Sequence, residues 1–200
     1  MSPVLDSGVP RVTARSRAKA ERRAEILAAA ARLMARRGFH AVRLDDIGAE
    51  VGISGPGMYR HFRNKEDVLA EMLLDISRRL EAGGLAVEQR GGSAEESLEG
   101  LIAVHVDFVV TEPDLISVQV RDLGTLPPEP RNQVRTLQRG YAERWVEVLC
   151  KLRPELEIPL ARARVHAVFG LLNSSPRLPA LDVPVKRDLL TAMAHAALEA

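Results

Sequence analysis

Two hundred residues, 46% hydrophobic and 28% charged, make a chain long enough for one or two domains with a substantial core, and too apolar for disorder. A single cysteine, Cys150, excludes an intramolecular disulfide and a cysteine-based zinc site, and no apolar run approaches the ~20 residues that span a bilayer. The formal net charge of +1 conceals an asymmetry: residues 1–65 hold 13 Lys/Arg against 6 Asp/Glu, net +7, and residues 66–200 hold 15 against 21, net −6. One basic end on an acidic body fits a protein that presents that end to phosphates, a solvated basic tail being the alternative. The first residues lack a basic start followed by an apolar run, so a cytoplasmic protein is expected.

Residues 1–17 carry Pro3, Gly8 and Pro10 and no periodicity, which predicts a disordered basic arm. Its Arg11, Arg15 and Arg17 either enter a minor groove or stay solvated. Residues 18–37 follow as a helix with the stripe Ile26, Leu27, Ala30, Leu33 and Met34, closed by Gly38. Residues 44–62 then read as two short helices around a tight turn. Leu44, Ile47, Val51 and Ile53 have helical spacing, Gly52 suits a left-handed turn residue, and Ser54 suits an N-cap whose hydroxyl accepts from an orphan N–H. Pro56 fits the first turn of the second helix, where Met58 and Phe62, four apart, face inward. Such a helix-turn-helix makes the second helix the candidate reader of a DNA major groove.

Within this stretch the run Val51-Gly52-Ile53-Ser54, then Met58-Tyr59-Arg60-His61-Phe62, then Asn64-Lys65-Glu66 resembles the DNA-binding domain of the tetracycline-repressor (TetR/AcrR) family, over roughly residues 20–80. Gly48, Arg43 and the Gly55-Pro56-Gly57 run depart from the usual family residues. The resemblance implies phosphate contacts by Tyr59, His61 and Lys65, the last at the start of a fourth helix, with Arg43 as a further candidate. Base reading falls to Gly55, Pro56, Gly57, Tyr59 and Arg60; Arg60 pairs with guanine or with another phosphate.

The fourth helix is predicted from Lys65 to about Ala82, stopped by Gly83-Gly84, within a connecting segment of residues 65–92. Residues 18–64 form the DNA-binding domain and residues 93–200 the body. In the body Ser93 and Glu96 make a capping box for a helix over 94–111, and Pro113 opens another. Gly124 to Pro130 reads as a loop, 131–153 and 160–174 as helices, and Val185 onward as the last helix. Every periodic segment favours 3.6 over 2, so the fold class is all-α: an N-terminal three-helix helix-turn-helix domain and a C-terminal helical domain for ligand binding and dimerisation.

The family layout implies a ligand cavity in the body. His105, Phe108, Gln119, Arg121, Tyr141, Trp145 and Asn173 stand on largely apolar segments and are the lining candidates, though each also suits a core or surface role. The apolar content suggests a hydrophobic effector; Arg121, Arg131 and Arg135 would suit an acyl-CoA. The last two helices carry more apolar surface than one core covers, including Leu189, Leu190 and Met193, which predicts a homodimer. The five histidines lack metal-ligand spacing and no catalytic constellation stands out, so neither an enzyme nor a cofactor is expected. The expectation is a DNA-binding regulator, most simply a repressor released from a palindromic operator by a small molecule, without a membrane partner. The alternatives are an activator with the same machinery and an all-α carrier or enzyme with no DNA role.

Overall fold

The computed structural model describes residues 14–199. Among them are nine α-helices, two single-turn 3₁₀ segments at Leu123–Thr125 and Ser175–Arg177, and no strand. The predicted arm lies outside the described residues as far as residue 13. Its last four residues instead open α1 (Ala14–Arg37), which ends where Gly38 turns left-handed at φ 83° and donates its N–H to the Met34 carbonyl.

Helices α2 (Leu44–Glu50) and α3 (Gly55–Met58) lie in the predicted order. At the start of α2 the Asp46 carboxylate accepts the Arg43 N–H at 2.8 Å, and Asp45 and Asp46 face the positive end of the helix dipole. Asn64 caps α4 (Lys65–Arg90) by accepting the Asp67 N–H at 2.7 Å. Helix α5 (Ala94–Thr111) carries the predicted capping box, Ser93 and Glu96 each accepting the other's N–H. Helices α6 (Pro113–Asp122), α7 (Pro128–Leu152), α8 (Ile158–Leu172) and α9 (Val183–Glu199) each hold a proline in the first turn, where the missing N–H costs nothing.

Helix α4 departs from the sequence expectation. Gly83 and Gly84 do not stop it; it runs through them to Arg90, and Gly91 at φ 68° ends it. The pair is there for packing. A Cβ on Gly83 would stand 2.7 Å from Val104 Cγ1 on α5, and one on Gly84 3.1 Å from the Tyr141 ring on α7. Both neighbours cross α4 too closely for a larger side chain. Arg144 of α7 then bridges Glu81 and Glu88 of α4. The N-terminal half of α4 packs against α1 and its C-terminal half against α5 and α7, so one helix is shared by the small domain and the body.

The last two helices split their apolar residues between two faces. Leu190 is only 1% exposed and turns inward with Ala194 and Leu198, whereas Leu189 and Met193 are 40% and 43% exposed. On α8, Ala161, Val165, Val168 and Leu172 are buried, and Leu160, Ala163, Ala167 and Gly170 lie outward at helical spacing. Leu190 therefore belongs to the protomer core, and Leu189 and Met193 remain on the exposed side of α9. None of the described helices is long and apolar enough to cross a membrane.

Candidate nucleic-acid and ligand sites

The α2–α3 turn is held by backbone bonds from Val51 and Ile53 to the Gly48 carbonyl and from Gly52, at φ 68°, to that of Ala49. Gly48 explains its own presence: a Cβ there would lie 2.7 Å from both the Ile53 carbonyl oxygen and Met58 Cγ, so glycine lets α3 sit directly on α2. Gly55 and Gly57 are packed likewise, a Cβ meeting Asp45 Oδ1 at 2.8 Å and Ile53 Cγ2 at 2.7 Å. Ser54 has the extended backbone of an N-cap, but its hydroxyl makes no cap bond, contrary to expectation. Met58 and Phe62 are buried. Tyr59 is 60% exposed, and Pro56, Arg60 and Arg43 are exposed with it; His61, Gly55 and Gly57 are half-buried. The reader thus offers one aromatic hydroxyl, one guanidinium and a proline ring.

Lys65 stands differently from expectation. Its ammonium donates to the carbonyls of Phe39, His40 and Val42 at 3.0, 3.2 and 3.1 Å and lies 4.5 Å from the centroid of the Phe39 ring. All three N–H donors are engaged within the protein, so in this DNA-free structure its side chain closes the loop between α1 and α2. Arg23 has a matching role that the sequence does not announce. Its guanidinium pairs with Glu71 of α4, donates to the His61 carbonyl at 2.9 Å and covers the Phe62 ring at 4.1 Å, fixing the reader between α1 and α4.

The body holds a half-open cavity of about 700 Å³ lined from α4 to α8 and by Asn173. Of the candidates, His105, Gln119, Tyr141 and Asn173 line it, with Ser77 and Leu80 of α4 and Phe169 of α8. The His105 and Phe169 rings stack at 4.8 Å, and Tyr141 lies parallel to Phe169 at 5.7 Å. Trp145 is not in the lining. It is fully buried behind it, edge-on to Phe169 at 5.1 Å. Phe108 also falls outside, in the core beneath Arg79. His105 Nε2 lies 3.2 Å from the Asn173 side-chain amide, within hydrogen-bond distance. Burial pushes the His105 pKa down to about 4, against the opposing effect of the Asn173 bond, and burial pushes the Tyr141 phenol above its ordinary value.

Arg121, expected at the ligand, is a bracket between the two halves. From α6 its Nη2 donates to the Met34 carbonyl at 2.5 Å and its Nη1 to that of Ala35 at 3.3 Å, at the carbonyl end of α1. The buried Asp122 carboxylate holds the same guanidinium at 2.8–3.1 Å. A cation on the negative end of α1 is electrostatically favourable, and the pair ties the body to the small domain. Arg131 does not reach the cavity either, whereas Arg135 does.

The family described as bacterial regulatory proteins, tetR family, matches residues 26–72, and a tetracyclin repressor-like C-terminal domain matches residues 91–177. The HTH-type transcriptional repressor KstR2 of Mycolicibacterium smegmatis is 27% identical over 148 residues, 70% of this chain and 72% of that protein. Among solved structures, a TetR-family regulator from Bordetella parapertussis superposes with a TM-score of 0.79 at 23% identity, covering 88% of this chain and 92% of that one. AibR in complex with isovaleryl coenzyme A and operator DNA superposes with a TM-score of 0.73 at 19% identity, covering 86% and 97%.

Two outcomes follow from this geometry. Lys65→Met keeps an unbranched side chain of similar length and removes three charge-assisted bonds; it is expected to destabilise the protein by about 1–3 kcal/mol in thermal or urea unfolding. An unchanged melting temperature with a lower salt slope of DNA binding would return Lys65 to the phosphates. For His105, the unfolded chain takes up a proton near pH 6.5, whereas the folded chain resists it until about pH 4. Stability is then fully present above pH 6.5 and lost as pH falls toward 4. His105→Phe should flatten the melting temperature across that window, and equal slopes in both proteins would contradict it.

Proposed function

Because the chain belongs to the tetR family of bacterial regulatory proteins, we propose that it is a transcriptional repressor that binds an operator through α3 and releases it when a small molecule fills the cavity of the body. One observation carries this reading. Helix α4 starts beside the reader at Lys65, passes Glu71, which holds Arg23, and lines the cavity at Ser77 and Leu80. A molecule that presses on this wall acts on the same rigid element that seats the reader. Arg121 adds a second connection, from α6 to the end of α1, and Gln119 of that helix lines the cavity. The cavity combines the faces of His105, Tyr141 and Phe169 with polar groups at its mouth, which suits an effector with an apolar part and a polar one. The named relatives support the same reading: KstR2 is a repressor by name, and AibR was crystallised with an acyl coenzyme A and its operator.

Two copies are needed to address two half-sites about 34–36 Å apart. The outward faces of α8 and α9, with Leu160, Ala163, Ala167, Val185, Leu189 and Met193, are the surface we assign to that pairing. A two-fold pairing of these faces makes a four-helix seam with small residues for close approach.

The reading is tested with the DNA upstream of the gene. Affinity should fall linearly on a log–log plot as salt rises, because phosphate contacts release counterions; binding that stays flat with salt would count against it. Tyr59→Ala should weaken operator binding about tenfold or more, the scale of one hydrogen bond to a charged group, and leave the melting temperature nearly unchanged. Lost stability with affinity retained would make Tyr59 structural. Leu189→Glu/Met193→Glu should sediment as a single 21.9 kDa chain, keep its helicity and lose the operator. A dimer that survives both charges would move the interface elsewhere.

A further inference from the structure

Along α7, Arg131, Arg135 and Arg139 recur at intervals of four residues, which places them on one face over about 12 Å of axis. Arg135 and Arg139 are exposed at the mouth of the cavity. Among the described residues neither has a carboxylate within ion-pair distance. The carboxylate one turn further on, Glu143, is taken up by the third arginine of the cavity: Arg162 holds both its oxygens, at 2.9 and 2.8 Å. Arg131 is half-buried, with Nε unpartnered and one long bond from Nη1 to the Gly124 carbonyl at 3.4 Å. Three like charges at one-turn spacing repel one another, and among the described residues the carboxylate that acts on them, Glu143 on Arg139, does so from beyond ion-pair distance while held by Arg162.

This deepens the effector reading and rests on it: we propose that the effector is an amphiphilic oxyanion. Its apolar part lies against Phe169 and the parallel His105 and Tyr141 rings. Its anionic head stays at the mouth between Arg135 and Arg139, and Arg131 extends the site for a head with more than one phosphate. Guanidinium forks match carboxylate and phosphate oxygens alike, so the free carboxylate of an acid and the phosphates of a coenzyme A thioester are the two sources of this chemistry.

The full-length protein provides its own probe. Trp145, its single tryptophan, packs against the cavity residue Phe169, so its emission should respond when the cavity fills. Decanoate, decanoyl-CoA and the neutral 1-decanol are titrated at low and high salt. At low salt at least one anion should bind about tenfold more tightly than 1-decanol, and high salt should shrink that advantage. Arg135→Gln/Arg139→Gln should abolish the preference and leave 1-decanol binding as it was. A preference for decanoyl-CoA that Arg131→Gln also reduces assigns the head to phosphates; a preference for decanoate assigns it to a carboxylate. The salt series on the wild-type protein needs no variant to fold.

The proposal is overturned if 1-decanol matches both anions, if neither anion binds, or if the preference survives the double substitution. Release of DNA is read separately by anisotropy of a labelled upstream fragment. Arginine-dependent anion binding that leaves DNA bound contradicts the repressor reading and upholds the anion site. Release by 1-decanol as readily as by the anions does the reverse.

Discussion

The structure depends on α4 satisfying two packings at once. Its first half must hold the helix-turn-helix, through Asn64 at its cap and Glu71 against Arg23. Its second half must cross α5 and α7 at glycine distance, through Gly83 and Gly84, with Arg144 fastened to Glu81 and Glu88. A helix of 26 residues is about 39 Å long and bends little, so a change imposed at one end reappears at the other. Close-packed crossings of this kind have discrete arrangements instead of a continuous range, which is how a small shift at a cavity wall becomes a change in the placement of a reader.

The charge distribution works with that architecture. The basic residues gather on the half that meets DNA, and five of the ten arginines in residues 93–200 are engaged by carboxylates: Arg121, Arg144, Arg153, Arg162 and Arg187. Arg121 is chelated by Asp122 while its remaining donors reach the end of α1, so the contact between the halves is both charged and directional. An effector alters operator affinity only by the difference in its own binding to the two arrangements, typically about 1–3 kcal/mol, and DNA alters effector affinity by the same factor. On the proposed reading, the cavity and the reader are two ends of one equilibrium.

The parts of this arrangement that are local in sequence are legible there. The turn at Gly52, the buried Met58 and Phe62, the capping box of Ser93 and Glu96 and the prolines that open helices are all set by neighbours a few residues away. The positions that misled are those decided by partners far along the chain. Gly83-Gly84 has the look of a helix stop, and only the crossing with Val104 and Tyr141 makes it a packing device. Lys65 acts on carbonyls 23 to 26 residues earlier, and Arg121 on carbonyls 86 and 87 residues earlier. Leu189 and Leu190 are equivalent in composition, and one step of 100° around α9 puts them on opposite sides of the protomer surface. Within the candidate cavity His105, Tyr141 and Asn173 were readable as polar or aromatic interruptions of apolar helices; Phe108 and Trp145 have the same signature and belong to the core.

The central claim is that the reader and the cavity form one mechanical unit, and it can be tested without knowing the effector. Amide hydrogen exchange of the wild-type protein, free and bound to its upstream DNA, reports both ends together. The account predicts that DNA changes protection in α2 and α3 and, in addition, along α4 past Ser77, in α6 around Gln119 and Arg121, and at the end of α1. Changes confined to residues 14–64, with the cavity wall exchanging identically in both states, would contradict it.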